Sequence, residues 1–74
     1  MTNILDTKGL NCPLPVLKAR KAMKGLAPGE RLTVLATDPA SPIDFHHFAD
    51  TSGHALVEES VEDGVFTFVL EKSG

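Results

Sequence analysis

Tryptophan and tyrosine are absent and the only aromatics are four phenylalanines, so the core of this 74-residue chain must be aliphatic around a few rings. Cysteine occurs once, at Cys12. A single thiol closes no intramolecular disulfide, which excludes the disulfide-stapled small domains and leaves packing or a partner to hold the fold. It also leaves the thiol free for chemistry. No run approaches the roughly 20 apolar residues of a membrane span. Met1 to Lys8 lacks the basic-then-apolar pattern of a signal peptide, so the chain is expected to be cytoplasmic with no membrane contact. Repeats, linkers and biased tracts are missing too. What remains, 42% hydrophobic and 23% charged, is the composition of one ordinary globular domain spanning residues 1–74.

Basic charge is scarce and unevenly placed. Seven Lys and Arg stand against ten Asp and Glu, a net −3. That excludes a general nucleic-acid binder, because phosphate recognition needs a basic footprint. Met1 to Gly29 nevertheless carries Lys8, Lys18, Arg20, Lys21 and Lys24 against Asp6 alone, whereas nearly all the acids lie beyond it. The positive charge therefore surrounds the cysteine. Its expected use is docking of an acidic protein surface, where complementary charge speeds encounter and selects partners. The plainer alternative is a face that keeps a helix solvated.

Read in order, Ile4 to Asp6 is a short strand and Gly9 permits a turn at positive φ. Cys12-Pro13-Leu14-Pro15 reads as a helix start, since proline is tolerated in the first turn, where its missing N–H has no intrahelical acceptor. Val16, Ala19, Met23 and Leu26 then recur at helical spacing as an apolar stripe, with Lys18 and Lys21 on the solvated face. Leu14 projects outward beside the cysteine. After the turn at Ala27-Pro28-Gly29-Glu30, Arg31 to Thr37 is a β-branched, buried strand, and strand-helix-strand over this length predicts a right-handed crossover with parallel pairing. Ser41-Pro42-Ile43-Asp44 matches a capping box opening a helix from Pro42 to Ser52, stopped by Gly53. Phe45, Phe48, Ala49 and Ser52 are its expected inner face. Ala55 to Glu62 and Val65 to Glu71 form a hairpin about Asp63-Gly64, with Phe66, Phe68 and Leu70 pointing to the core. The order βαβαββ predicts an α/β two-layer sandwich, a four-stranded mixed sheet with two helices on one face.

Cys12 is thus placed at or next to a helix N-cap. Unpaired N–H groups and the positive end of the helix dipole favour thiolate there, and Lys8, Lys18 and Lys21 are expected to add to the effect. A thiolate attacks a persulfide or disulfide sulfur, so the setting suits a sulfur acceptor. Against this stands the inert buried cysteine, the usual fate of a free thiol in a globular domain.

Asp6-x-x-Gly9-Leu10-x-Cys12-Pro13-x-Pro15, followed by a basic helix and then Asp38-Pro39-Ala40, resembles the TusA/SirA family of small sulfur carriers over nearly the whole chain. The resemblance implies that Cys12 accepts sulfane sulfur as a persulfide or thiosulfonate, with Gly9, Pro13 and Pro15 as supporting motif residues. The sulfur would come from a donor such as a cysteine desulfurase or rhodanese and pass to an acceptor protein with a reactive cysteine. Lys8, Leu14, Lys18, Arg20, Lys21 and Asp38 become candidate partner contacts. Asn11 and Leu14 stand where the family's tRNA-thiolation carrier has a basic and an acidic residue. Relays in sulfur oxidation, tRNA thiolation and molybdenum-cofactor supply are all compatible with the motif. With no second thiol, release must use another molecule's thiolate.

No cofactor is expected, and no metal. His46, His47 and His54 lack the i, i+4 spacing by which one helix face offers two ligands. Asp38 has a plain reading as the start of a turn before Pro39. The competing functions are a regulatory or interaction module that uses the basic surface without thiol chemistry, and a thiol redox sensor.

Overall fold

The alternation of apolar and polar residues becomes six elements: β1 (Asn3–Thr7), α1 (Leu14–Lys24), β2 (Arg31–Ala36), α2 (Ser41–Ser52), β3 (Ala55–Glu62) and β4 (Val65–Glu71). The structure, a computed structural model, describes residues 3–74. β1 pairs in parallel with β2, while β4 pairs antiparallel with both β2 and β3. The order across the sheet is β1-β2-β4-β3, which makes β1 and β3 the edges.

Period-2 patterning puts Leu32, Val34 and Ala36 of β2 on one face with Phe68 and Leu70 of β4, all buried. Both helices cover that face. α1 contributes Ala19 and Met23 and α2 contributes Phe45 and Phe48 to one continuous cluster. The Phe45 ring stacks on Phe68 with centroids 4.5 Å apart, and such a pair adds about 0.5–1.5 kcal/mol to the burial of its area. At the end of α1, the Met23 carbonyl accepts both the Leu26 N–H at 3.1 Å and the ammonium of Lys72 at 2.8 Å, which ties the end of β4 to the helix. The hairpin turn holds Asp63 and Gly64 at φ of 51° and 77°, a conformation that Asp-Gly accommodates.

Three details depart from the sequence reading. The capping box does not form: α2 starts at Ser41 itself, its N-cap is Ala40, and no side chain caps it. The reason is that the helix begins one residue early: the Asp44 N–H, which a Ser41 cap would take, already donates to the Ala40 carbonyl at 3.0 Å, while Asp38 accepts the Ala40 and Ser41 amides. Ser52 lies exposed, because the buried stripe of α2 runs through Ser41, Phe45 and Phe48. Thr37 falls just past β2, in the loop, where its hydroxyl accepts the Gly9 N–H at 2.9 Å. Among the described residues, no helix is long and apolar enough to cross a membrane.

Candidate functional site

The two parallel strands β1 and β2 end side by side, and the loops that leave them, residues 8–13 and 37–40, are tied to each other. This is the carboxyl end of a parallel pair, where open α/β sheets place their reactive groups. Gly9 turns at φ 82° and donates to Thr37. Three residues on, the Cys12 N–H donates to Asp38 Oδ2 at 2.8 Å, while Asp38 Oδ1 accepts from Ala40 at 2.8 Å. One carboxylate thereby fixes the backbone of both loops. These two N–H groups, Ala40 first, hold the Asp38 carboxyl below its ordinary range.

Cys12 is exposed, so the inert buried thiol is not what this fold contains. It lies immediately before Pro13, the N-cap of α1, joined by a cis peptide bond, next to the cap as expected. Pro15 is buried in the first turn.

The electrostatics differ from the expectation. The Asp44 carboxylate, in the first turn of α2, is the chief reason that the Cys12 thiol is pushed above its usual value, because it favours the S–H form by hydrogen bonding. Partial desolvation and the charges of Asp44 and Asp38 push the same way. A helix terminus offers roughly half a positive charge, and here it is outweighed by two full negative charges on the thiol's own side. The lysines do not offset this. Lys8 is paired with Asp6 at 3.3 Å, and Lys18 and Lys21 line a groove against β1. The surroundings of Cys12 thus favour the thiol over the thiolate.

The remaining candidates separate. Leu14, 45% exposed, lies on the first turn of α1, with Leu17 at 47% one turn on. Arg20 leaves the lysines and sets its guanidinium 5.7 Å from the centre of the Phe48 ring on α2, a cation–π contact. Asp38 has both oxygens engaged inside the protein, so it starts a turn and positions Cys12. Asn11 is exposed and its carbonyl accepts the Leu14 N–H at 2.9 Å. His46 pairs with Glu59 at 2.7 Å, whereas His54, held below its normal value chiefly by burial, accepts the Ser73 N–H on Nδ1 at 3.1 Å. No group of three potential metal ligands occurs among the described residues. Asp44, Leu17 and Ile43, the last 75% exposed in the first turn of α2, were not singled out by the sequence reading. A capping-box reading had already given Asp44 another task, and only the fold brings it to Cys12.

The fold and this end of it define a class: a two-layer α/β protein that presents one accessible thiol from the loop entering its first helix. The chain belongs to the family described as Sulfurtransferase TusA, which matches residues 3–72. It is 48% identical to the sulfur carrier protein TusA of Allochromatium vinosum over 93% of this chain and 91% of that one. Identity to the sulfur carrier protein TusA of Pseudomonas aeruginosa is 44%, over 93% and 87% of the two chains. A crystal structure of a SirA-like protein from Desulfitobacterium hafniense superposes over the full length of both chains with a TM-score of 0.85 at 29% identity.

Proposed function

We propose that this protein is a sulfur carrier that takes sulfane sulfur onto Cys12 as a persulfide and passes it to the cysteine of a partner. The observation that carries the reading is the setting of Cys12 in a TusA-family chain: a lone exposed thiol whose amide is held by Asp38 at the joined ends of β1 and β2. In loading, the Cys12 sulfur attacks the terminal sulfur of a donor persulfide. The donor's S–S bond breaks, a Cys12 S–S bond forms, and the Cys12 proton passes by way of Asp44 to the departing donor thiolate. In unloading, an acceptor thiolate attacks the terminal sulfur and Cys12 leaves as thiolate, to be reprotonated beside Asp44. No net oxidation occurs, and no cofactor is required.

A raised thiol keeps little thiolate at rest, so attack needs a proton acceptor beside the sulfur, the part that Asp44 takes. Such a thiol suits a redox sensor poorly, because oxidation follows resting thiolate character. Donor and acceptor are read as proteins, with cysteine desulfurases and rhodaneses as donor candidates. Exposed Leu14, Leu17 and Ile43 offer an apolar rim at the starts of both helices, of the kind that marks an interaction site.

Intact mass after incubation with a cysteine desulfurase plus cysteine, and separately with thiosulfate or tetrathionate, tests the reading. The expected result is one reducible sulfur adduct on the wild type and none on Cys12→Ser. Absence of any adduct on a thiol that still alkylates would overturn it in favour of the interaction module.

A further inference from the structure

We propose that the groove between α1 and the outer edge of β1 is a docking site for an extended acidic segment of a partner protein, added as a fifth strand beside β1. Lys18, Lys21, Ala22 and Gly25 of α1 fall at i, i+3, i+4 and i+7, a single stripe, and with Leu5 of β1 they enclose a groove of about 430 Å³. The groove exists because the sheet ends there. β1 is an edge, no described strand pairs with its outer side, and the groove lies between Leu5 of that edge strand and the α1 stripe.

The two edges of the sheet are treated differently. β3 is guarded by a register shift between Leu56 and Glu58 and by exposed Glu58, Glu59 and Glu62, the devices by which natural sheets deter strand addition. β1 has neither bulge nor acid row, and Ile4 on it is 68% exposed. An added strand would pair with the open backbone of β1 and drop alternate side chains onto Leu5 and Ala22.

Charge selects the occupant. Neither Lys18 nor Lys21 is in an ion pair among the described residues, and both stand at the groove of a chain whose net charge is −3. Acidic residues alternating with apolar ones complement this floor and rim. Two copies joined through their β1 edges would instead bring these lysines together. The groove starts one turn beyond Leu14 and runs away from Cys12, so a segment held there leaves the thiol free.

The inference rests on the carrier reading for the existence of partners, but its readout is binding, so the two fail separately. A chain that takes no sulfur can still hold the segment, and a chain that loads sulfur but holds no segment loses only this proposal.

The experiment pans a random peptide library on the full-length reduced protein and synthesises the enriched sequences. Enriched peptides should alternate acidic and apolar residues. Lys18→Glu combined with Lys21→Glu should weaken them about tenfold or more in fluorescence anisotropy, and added salt should weaken them too. Amide exchange of residues 3–7 should slow on binding, with circular dichroism showing that the variant is folded. Four outcomes would overturn the proposal: no enrichment; peptides without acid; protection on β3 instead of β1; or binding indifferent to the lysines. So would lysine-dependent binding of an RNA oligomer or anionic vesicles in place of peptide, or dimers in sedimentation with β1 protected.

Discussion

The starts of α1 and α2 look alike in sequence, each with proline in the first turn, yet they do opposite things. Neither has a side-chain cap. At α1 the residue that could have capped is displaced by Pro13, and Cys12 is left outside the helix. At α2 the nearby carboxylates face the first start: Asp38 takes the Cys12 amide on one oxygen and the Ala40 amide on the other, and Asp44 favours the protonated Cys12 thiol. The second helix start acts as the electrostatic wall of the first. A helix N-terminus read alone predicts an activated thiolate, whereas two such termini brought together by the sheet raise the thiol through the neighbour's acids.

The most drastic way to break this pairing is to detach α2. Phe45 follows Asp44 directly and is fully buried against Phe68. Phe45→Ala should cost about 3–5 kcal/mol, a large share of the stability of a domain held by roughly 0.05–0.15 kcal/mol per residue. Urea unfolding followed by circular dichroism should find the variant mostly unfolded at 37 °C. A midpoint near that of the wild type would mean that α2 is not fastened by this residue.

Asp38→Ala should leave the sheet intact and loosen the site. Amide exchange at Cys12 and Ala40, the two donors to that carboxylate, should accelerate while the β2 and β4 amides keep their protection. A pH signature accompanies it. The folded-state value of Asp38 is depressed, so its contribution to stability is present above the unfolded value and is lost as pH falls through the folded one. The variant should lack that portion of the acid-side loss in an unfolding series run from neutral to low pH.

Asp44→Asn sharpens the comparison at the thiol. The amide can still pair with the Cys12 sulfur but carries no charge, so the rate of Cys12 alkylation against pH should move to lower pH and rise several-fold at neutrality. Sulfur loading from a donor protein should slow all the same, because the proton acceptor is gone. Iodoacetamide kinetics over a pH series, beside the mass assay, separate the two effects. Unchanged alkylation would remove Asp44 from the site.

Most of the fold was legible because its signals are local and periodic. The stripe Val16, Ala19, Met23, Leu26, the Asp63-Gly64 turn and the apolar run of β2 each need only neighbouring residues to be read, and all reappear in the structure. Cys12 was legible for the same reason. What was not legible depends on residues far apart in sequence. Asp44 lies 32 positions from Cys12, the cation–π contact of Arg20 waits on Phe48, and Lys18 and Lys21 separate from Arg20 only once β1 flanks one side of α1 and α2 the other. The patch that charge counting made one is two.

The smallest effect decides the most directly between the two accounts of the α2 start. If Ser41 capped the helix, Ser41→Ala would cost about 1 kcal/mol. In the structure its hydroxyl is buried and has no hydrogen-bond partner among the described residues. Removing a buried, unpartnered polar atom relieves its desolvation, so the substitution should be neutral or stabilising by up to about 1 kcal/mol. The two accounts differ in sign as well as size, and paired urea midpoints at equal m-value resolve such a difference. A rise or no change supports a helix start whose acids serve the neighbouring thiol. A fall would restore the serine cap and would require Asp44 to divide its hydrogen bonding between helix and cysteine.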